Sequence, residues 1–293
     1  MTGTQDDGDT GKQGNHYMKI SFIGGGNMAT ALVSGIAKSD PGAEWIHISE
    51  PDPEARIRLE ENYPVKCFES AMAAIREADT IILAIKPQVM PIVLGEMEGL
   101  IKPSQLVISI AAGVTIDTIR MGLGAQVPVI RAMPNTPALI GKGITGLFAG
   151  PGCSQQHKKT AEQVVSSTGT SVWVEEEALI NVVTAVSGSG PAYFFLLTEA
   201  LREAGQKLGL SQDAATRLAV HTAYGAGAMA VQSNVDVSEL RKRVTSPGGT
   251  TKAALDSFAS DQFKQIVLRA VNAACVRGQE LAGVQKSVGS EQQ

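Results

Sequence analysis

The stretch Thr245-Ser246-Pro247-Gly248-Gly249-Thr250-Thr251 gathers bare backbone and hydroxyl groups in one place. Pro247 fixes its own φ and moves Ser246 away from the helical region. Gly248 and Gly249 permit backbone angles closed to other residues and let another molecule approach the main chain. Thr250 and Thr251 then open a segment with helical spacing at Ala253, Ala254, Leu255 and Phe258. A helix start presents N–H groups without intrahelical partners and the positive end of a dipole. It therefore suits a small anion such as a carboxylate. The competing reading is a Pro-Gly turn whose threonine does no more than cap a helix.

A second constellation lies near the start, where Gly24-x-Gly26-x-x-Ala29 follows the apolar run Met18–Ile23. Met28, Leu32 and Ile36 then fall on one helical stripe. Strand, glycine turn and helix in that order are the context of a dinucleotide fingerprint. Gly24 is expected to make the turn, Gly26 to admit a pyrophosphate, and Ala29 to let helix and strand pack closely. The helix start at Asn27 and Met28 faces the phosphates. The competing reading is a glycine turn of any α/β protein.

The elements that must hold these residues follow in alternation. Strands are expected at Trp45–Ser49, Val65–Phe68, Thr80–Ile85, Leu106–Ile110, Val127–Met133, Gly143–Ala149 and Thr170–Val174. Helices are expected over Pro53–Glu61, Glu69–Ala78 and His157–Val165. The continuous apolar strand at residue 80 suits a sheet covered on both faces. Repeated βα units imply an α/β fold with a parallel, doubly wound, Rossmann-type sheet. Ligands of such sheets bind off the carboxyl ends of the strands. Ala84, Lys86, Pro87, Ala111, Gly113, Asn135 and Thr136 sit there by this reading, although Lys86 also reads as a solvated loop lysine.

Past Glu175-Glu176-Glu177 the strand signals stop, and Ala, Leu, Gly and Met recur at helical spacing. The expected organisation is an N-terminal extension over 1–17, a dinucleotide-binding domain over 18–175, and an all-helical substrate and dimerisation domain over 176–293. Ser189 and Pro191 read as the N-cap and first turn of a helix ended by Gly209, and Ser211 caps the next. That next helix, Ala214–Val231, is apolar nearly all round and has the length of a membrane span. Arg217 and His221 in its middle argue instead for burial in protein, with His221 as a polar interface or core residue.

Composition narrows the function. A chain of 293 residues with 43% hydrophobic and 18% charged residues is ordinarily globular. The net charge of −4, with no long basic stripe, disfavours nucleic acid. Cys67, Cys153 and Cys275 show no metal spacing, and neither do the four histidines. The cysteines read as reduced residues of a cytoplasmic protein. Residues 1–17 are polar without an apolar core, which reads as a disordered extension rather than a signal peptide.

Four stretches resemble one family, the Δ1-pyrroline-5-carboxylate reductases. They are Phe22–Ala29, Arg131-Ala-Met-Pro-Asn-Thr-Pro137, Ser187-Gly-Ser-Gly-Pro-Ala-Tyr193 and Leu240–Thr251, in that order along the chain. The resemblance runs from about Met18 to about Leu281. Lys242 is a mild departure, since many members carry an acidic residue there.

The resemblance implies hydride transfer from a nicotinamide cofactor to the C=N carbon of 1-pyrroline-5-carboxylate, giving L-proline. It implies an intertwined dimer or larger homo-oligomer formed through the helical domain, with neither nucleic acid nor membrane as partner. It implies a substrate site of Ser246, Gly248, Gly249, Thr250 and Thr251, in which the Gly249 and Thr250 N–H groups take the carboxylate while the Thr251 hydroxyl meets the ring nitrogen as the catalytic contact. It also implies that the strand-end residues line the nucleotide, with Asn135 and Thr136 on the nicotinamide side. Cofactor choice reads two ways. Glu50 could accept from a ribose 2′-OH of NAD(H), while Arg56 and Arg58 could meet the 2′-phosphate of NADP(H). The resemblance leans to NADP(H).

Two rivals remain at this point. A 3-hydroxyacid dehydrogenase also joins such a sheet to helices, but it needs a catalytic Lys and a nearby Asn, and Lys207 stands alone. A nucleotide-binding sensor without turnover would have no use for an intact Thr245–Thr251 loop.

Overall fold

The computed structural model describes residues 18–39 and 45–290, with main chain only at 39 and over 282–290. The expectation for 1–17 lies outside the described residues. Eight strands form one sheet: β1 (Ile20–Ile23), β2 (Ile46–Ser49), β3 (Lys66–Phe68), β4 (Thr80–Leu83), β5 (Leu106–Ser109), β6 (Val129–Met133), β7 (Gly143–Ala149) and β8 (Gly169–Trp173). Their order is β3-β2-β1-β4-β5-β6-β7-β8. Ile20 pairs with Ile46 on one side and with Thr80 on the other, so the winding reverses at β1. That reversal opens a crevice at the carboxyl ends of β1 and β4.

Six helices cover the sheet: α1 (Asn27–Ser39), α2 (Pro53–Asn62), α3 (Ala71–Ile75), α4 (Met90–Met97), α5 (Ile116–Leu123) and α6 (Gln155–Ser166). Side chains of β1 alternate between the two faces. Phe22 enters a core with Leu32, Val33, Ile48 and Val164. Ile23 enters the opposite core with Leu83, Met90, Leu94 and Ile119. Burying each such side chain is worth about 1.5–3 kcal/mol. The sequence pattern had not assigned α4 and α5. Both are short, and α5 is announced only by Thr115, whose hydroxyl accepts the Thr118 N–H at 3.2 Å.

Two expectations need correction. The sheet is not wholly parallel, because β7 runs antiparallel to β6, with Ile130 opposite Ala149 and Met133 opposite Gly146. The connection, residues 134–142, folds as a 3₁₀ turn at Thr136–Ile140. It is too short for the helical crossover of about a dozen residues that a parallel neighbour requires.

The second correction concerns where the helical half begins. Ser189 does not start a helix. A continuous helical run passes from α7 (Leu179–Val183) through a π-turn at Thr184–Gly188 into α8 (Gly190–Lys207). Ser189 has helical angles, φ −84° and ψ −19°, and makes no cap bond. The glycine-serine stretch is absorbed by one widened turn, in which the Ser189 N–H donates to Thr184 O at 2.8 Å.

Beyond Gly209, at φ 105°, come α9 (Gln212–Gln232), α10 (Val237–Arg243), α11 (Thr250–Ser260) and α12 (Phe263–Ser290). Ser211 caps α9 as expected, its hydroxyl accepting the Ala214 N–H at 3.3 Å. Gly205 on α8 faces Ala215 on α9, so the two helices approach closely. His221 is exposed on this chain rather than buried in its core. Phe194, Phe195, Leu218, Tyr224 and Leu268 are also exposed. By length and composition, the run Leu179–Lys207, not α9, is the helix apolar enough to cross a membrane among the described residues.

Candidate active site

The carboxyl edge of the sheet brings together most of the expected nucleotide residues. Gly24 follows β1 at φ 99°, an angle side chains rarely adopt. A Cβ there would also stand 2.7 Å from Ala84 O, so the loops after β1 and β4 can touch only because residue 24 is glycine. Gly113, at φ 72°, makes a similar turn in the loop that follows β5 and Ala111. Gly26 is different. A Cβ there would meet no atom within 4 Å, so nothing inside the fold demands a glycine. That open space is what a pyrophosphate lying on the backbone would need.

The start of α1 agrees. The Thr30 N–H donates to Gly26 O at 2.9 Å, the first bond of the helix. The N–H groups of Asn27 and Met28 precede it, at the positive end of the dipole. The residues present therefore fit a dinucleotide phosphate. Lys86 and Thr136 are exposed around this edge, with Pro87 half-buried.

Glu50 occupies an unexpected place. Its Oε2 accepts the Gly25 N–H at 2.9 Å, and its Oε1 accepts the Asp52 N–H at 3.1 Å. The carboxylate is thereby held on the glycine loop itself. The Arg56 Nη1 donates to Glu50 O at 2.7 Å and to Pro51 O at 2.8 Å. Arg56 thus braces the turn after β2. Arg58 is more exposed and reaches Asp52 at 3.8 Å and Glu54 at 3.7 Å.

Asn135 is buried and bonded to protein at both ends of its amide. Its Nδ2 donates to Ser187 O at 3.2 Å, and its Oδ1 accepts the Ile144 N–H at 3.0 Å. Another pair was missed altogether. Arg131, nearly buried on β6, meets Glu177 Oε1 at 2.8 Å, and the same oxygen accepts the Ile116 N–H at 2.8 Å. The partners are far apart in the chain, so no local pattern announces the contact.

The glycine-threonine loop is well defined. The Gly249 N–H, expected to meet the carboxylate, instead donates to Ser246 O at 3.1 Å and closes a turn over Pro247 and Gly248. Gly248 has φ 71°. A Cβ at Gly249 would collide with the Ser246 hydroxyl. The residue before α11 is Gly249, which has no side chain to cap with, and the Ala253 N–H makes the first helical bond, to Gly249 O at 3.2 Å. The N–H groups of Thr250, Thr251 and Lys252 come before that bond and lack helical acceptors. Thr251 lies one position inside the helix, half-buried, and its hydroxyl caps nothing.

The loop therefore holds three aligned donors and a spare hydroxyl, with Gly249 as the hinge of the turn. Beside it opens a groove of 720 Å³ with a mainly apolar wall of Leu255, Phe258 and Phe263, edged by Arg241, Lys252 and Asp256. Lys252 pairs with Asp256 at 2.6 Å. Lys242, the departure noted in the sequence, pairs with Glu239 at 3.5 Å.

Comparison with known proteins agrees with this geometry. A family model described as pyrroline-5-carboxylate reductase dimerisation matches residues 177–281. One described as NADP oxidoreductase, coenzyme F420-dependent, matches residues 19–113. The pyrroline-5-carboxylate reductase of Pseudomonas aeruginosa is 46% identical over 264 residues, covering 90% of this chain and 97% of its own. That of Haemophilus influenzae is 38% identical over 263 residues, covering 89% and 97%.

Among solved structures, the Coxiella burnetii pyrroline-5-carboxylate reductase superposes with a TM-score of 0.86 at 37% identity, covering 91% of this chain and 99% of that one. The Plasmodium falciparum pyrroline carboxylate reductase, solved with NADP bound, gives 0.79 at 31%, covering 90% and 98%. The chain, a Rossmann-type sheet followed by helices, belongs to the pyrroline-5-carboxylate reductase family of NAD(P)H-dependent oxidoreductases.

Proposed function

We propose that the chain reduces 1-pyrroline-5-carboxylate to L-proline, the step that closes proline biosynthesis. The observation that carries this is the start of α11, where three unpartnered N–H groups lie beside a hydroxyl that caps nothing. A ring imine bearing a carboxylate has the matching groups. Its carboxylate takes the Thr250 and Thr251 N–H groups, with Ser246, Gly248 and Gly249 shaping the turn. Its nitrogen meets the Thr251 hydroxyl, which fixes the face that the C=N carbon presents.

A bound nicotinamide supplies the hydride. Gly24, Gly26, Asn27 and Met28 hold its pyrophosphate, and Ala84, Lys86, Pro87, Ala111, Gly113 and Thr136 shape the rest of the nucleotide edge. With a protonated imine no further acid is needed, and the protein's contribution is orientation.

NADP(H) is the donor on the first reading. The match of residues 19–113 to an NADP oxidoreductase model and the NADP bound by the Plasmodium relative support it. Glu50 favours a second reading, NAD(H), because a carboxylate held on the glycine loop accepts from a ribose diol and repels a 2′-phosphate. The two readings part on the ratio of NADPH to NADH efficiency.

The end of β8 at Trp173 and the start of α7 at Leu179 support a domain boundary at Glu175–Glu176. Exposed apolar residues on α8, α9 and α12 support assembly through the helical half. The three cysteines are unpaired, in keeping with a reducing cytoplasm. The decisive experiment follows reduced cofactor at 340 nm (the nicotinamide absorbance band, whose use follows from the chemistry of that cofactor). Consumption only after pyrroline-5-carboxylate is added supports the proposal, and consumption without it, or none with it, refutes it.

A further inference from the structure

Ser187 stands four residues before Pro191, which has no N–H. The helical partner of the Ser187 carbonyl is thus missing by sequence. The π-turn frees a second carbonyl. Because the Ser189 N–H reaches back to Thr184 O at 2.8 Å, it no longer serves Ala185 O. Side chains satisfy both. The Tyr193 hydroxyl donates to Ala185 O at 3.0 Å, which closes the turn from within the same helix. The Asn135 Nδ2 donates to Ser187 O at 3.2 Å, and it comes from the other half of the chain, directly after β6.

The orientation of the Asn135 amide is determined by its partners. The Ile144 N–H can only donate and the Ser187 carbonyl can only accept. The residue is buried, at 8% exposure, so losing either bond leaves a polar group unpaired away from water. Packing follows the same seam. Val183 on α7 fills the space where a Cβ on Gly146 of β7 would be, and Met133 Cε sits against Gly188.

A π-turn is a widened turn with an alternative winding close at hand. A change of one residue in that winding rotates everything after it by about 100°. We propose that Asn135 is a positioning residue. It latches the π-turn to the end of β6 and the start of β7, and so sets the angle at which the helical half leaves the sheet. This inference rests on the reductase reading for its kinetic consequence, while the latch itself has a readout that needs no turnover. The role is separate from the cofactor contact expected of Asn135, since the latch uses one N–H and one lone pair of its amide.

The test uses the full chain and two substitutions. Asn135→Ala should speed amide hydrogen exchange over residues 184–190. It should leave the Kd for reduced cofactor, read by nicotinamide fluorescence, within about twofold, and lower kcat/KM for the imine at least about tenfold, since it removes both the Ser187 and the Ile144 bonds. Pro191→Ala restores an N–H opposite the Ser187 carbonyl. Added to Asn135→Ala, it should recover part of the lost thermal stability, the Ile144 N–H staying unpaired, without recovering kcat/KM.

Unchanged exchange over 184–190 overturns the latch, whether or not the parent chain turns over imine. Unchanged exchange with a tenfold weaker cofactor would make Asn135 a cofactor ligand instead. Turnover that returns together with stability in the double variant would make the bond merely structural. Should Asn135→Ala fail to fold, Asn135→Asp keeps an acceptor for the Ile144 N–H and sets a second acceptor against the Ser187 carbonyl, so faster exchange over residues 184–190 is expected of it as well.

Discussion

Glu50 Oε2 accepts the Gly25 N–H at 2.9 Å, so the acidic residue after β2 is bonded to the glycine loop that a cofactor would lie on. The carboxylate is a fixed negative charge on that loop, and glutamine in its place removes the charge while keeping one of the two acceptors. Glu50→Gln should therefore raise kcat/KM with NADPH relative to NADH by about tenfold, or about 1.4 kcal/mol. Steady-state kinetics with both cofactors checks it. An unchanged ratio would remove Glu50 from cofactor choice and leave the question to Arg56 and Arg58.

Gly26 marks the same loop from the other side. Because a Cβ there meets nothing within 4 Å, Gly26→Val should fold with a near-parental melting temperature. Reduced-cofactor binding should be lost, since the new methyl groups occupy the pyrophosphate's space. A folded variant with unchanged nucleotide affinity would contradict the assignment.

The Arg131–Glu177 pair ties β6 to the segment entering the helical half. Glu177→Ala strands a guanidinium that is only 4% exposed. The expected cost is about 3 kcal/mol, at the low end for breaking a buried pair because Glu177 is partly solvated. For a chain of this size that lowers Tm by roughly 6–12 °C. Calorimetry of Glu177→Ala and Arg131→Ala measures it, and a change under 2 °C (roughly half a kcal/mol) would mean the pair is not a fastener.

Assembly should depend on the helical half. Phe194, Phe195 and Tyr224 are each at least 69% exposed on this chain, more apolar surface than a soluble monomer leaves uncovered. A segment spanning residues 18–174 should be monomeric by light scattering, while the full chain should be at least dimeric at micromolar concentration. A full-length monomer would leave that surface unexplained.

The legible parts of the fold were those that local pattern determines. Phe22-Ile23-Gly24 reads as a buried strand running into a forced turn, and the structure has it so. Ser211 and Gly209 punctuate helices by cap and left-handed angle alone. Strand direction is another matter. Gly143–Ala149 looks like a strand either way round, and only the short connection from β6 makes it antiparallel. Ser187-Gly-Ser-Gly-Pro191 looks like a helix start, because a π-turn leaves no periodicity of its own.

The candidate site divides along the same line. The glycines of both loops were found because glycine has few reasons to be where it is. The Glu50–Gly25, Arg131–Glu177 and Asn135–Ser187 contacts were not, since each joins residues distant in sequence. One clue to the last was available, namely that a proline four residues after Ser187 leaves a carbonyl for something else to satisfy.

The most direct test of the account is kcat/KM for Thr251→Ala with pyrroline-5-carboxylate, measured beside its melting temperature. Thr251 caps nothing, so the variant should keep the parental Tm. Losing a charge-assisted hydrogen bond of about 1.5–3 kcal/mol should lower kcat/KM roughly 10- to 150-fold, with cofactor affinity unchanged. A variant of near-parental turnover would contradict the substrate role of this hydroxyl, whatever its melting temperature.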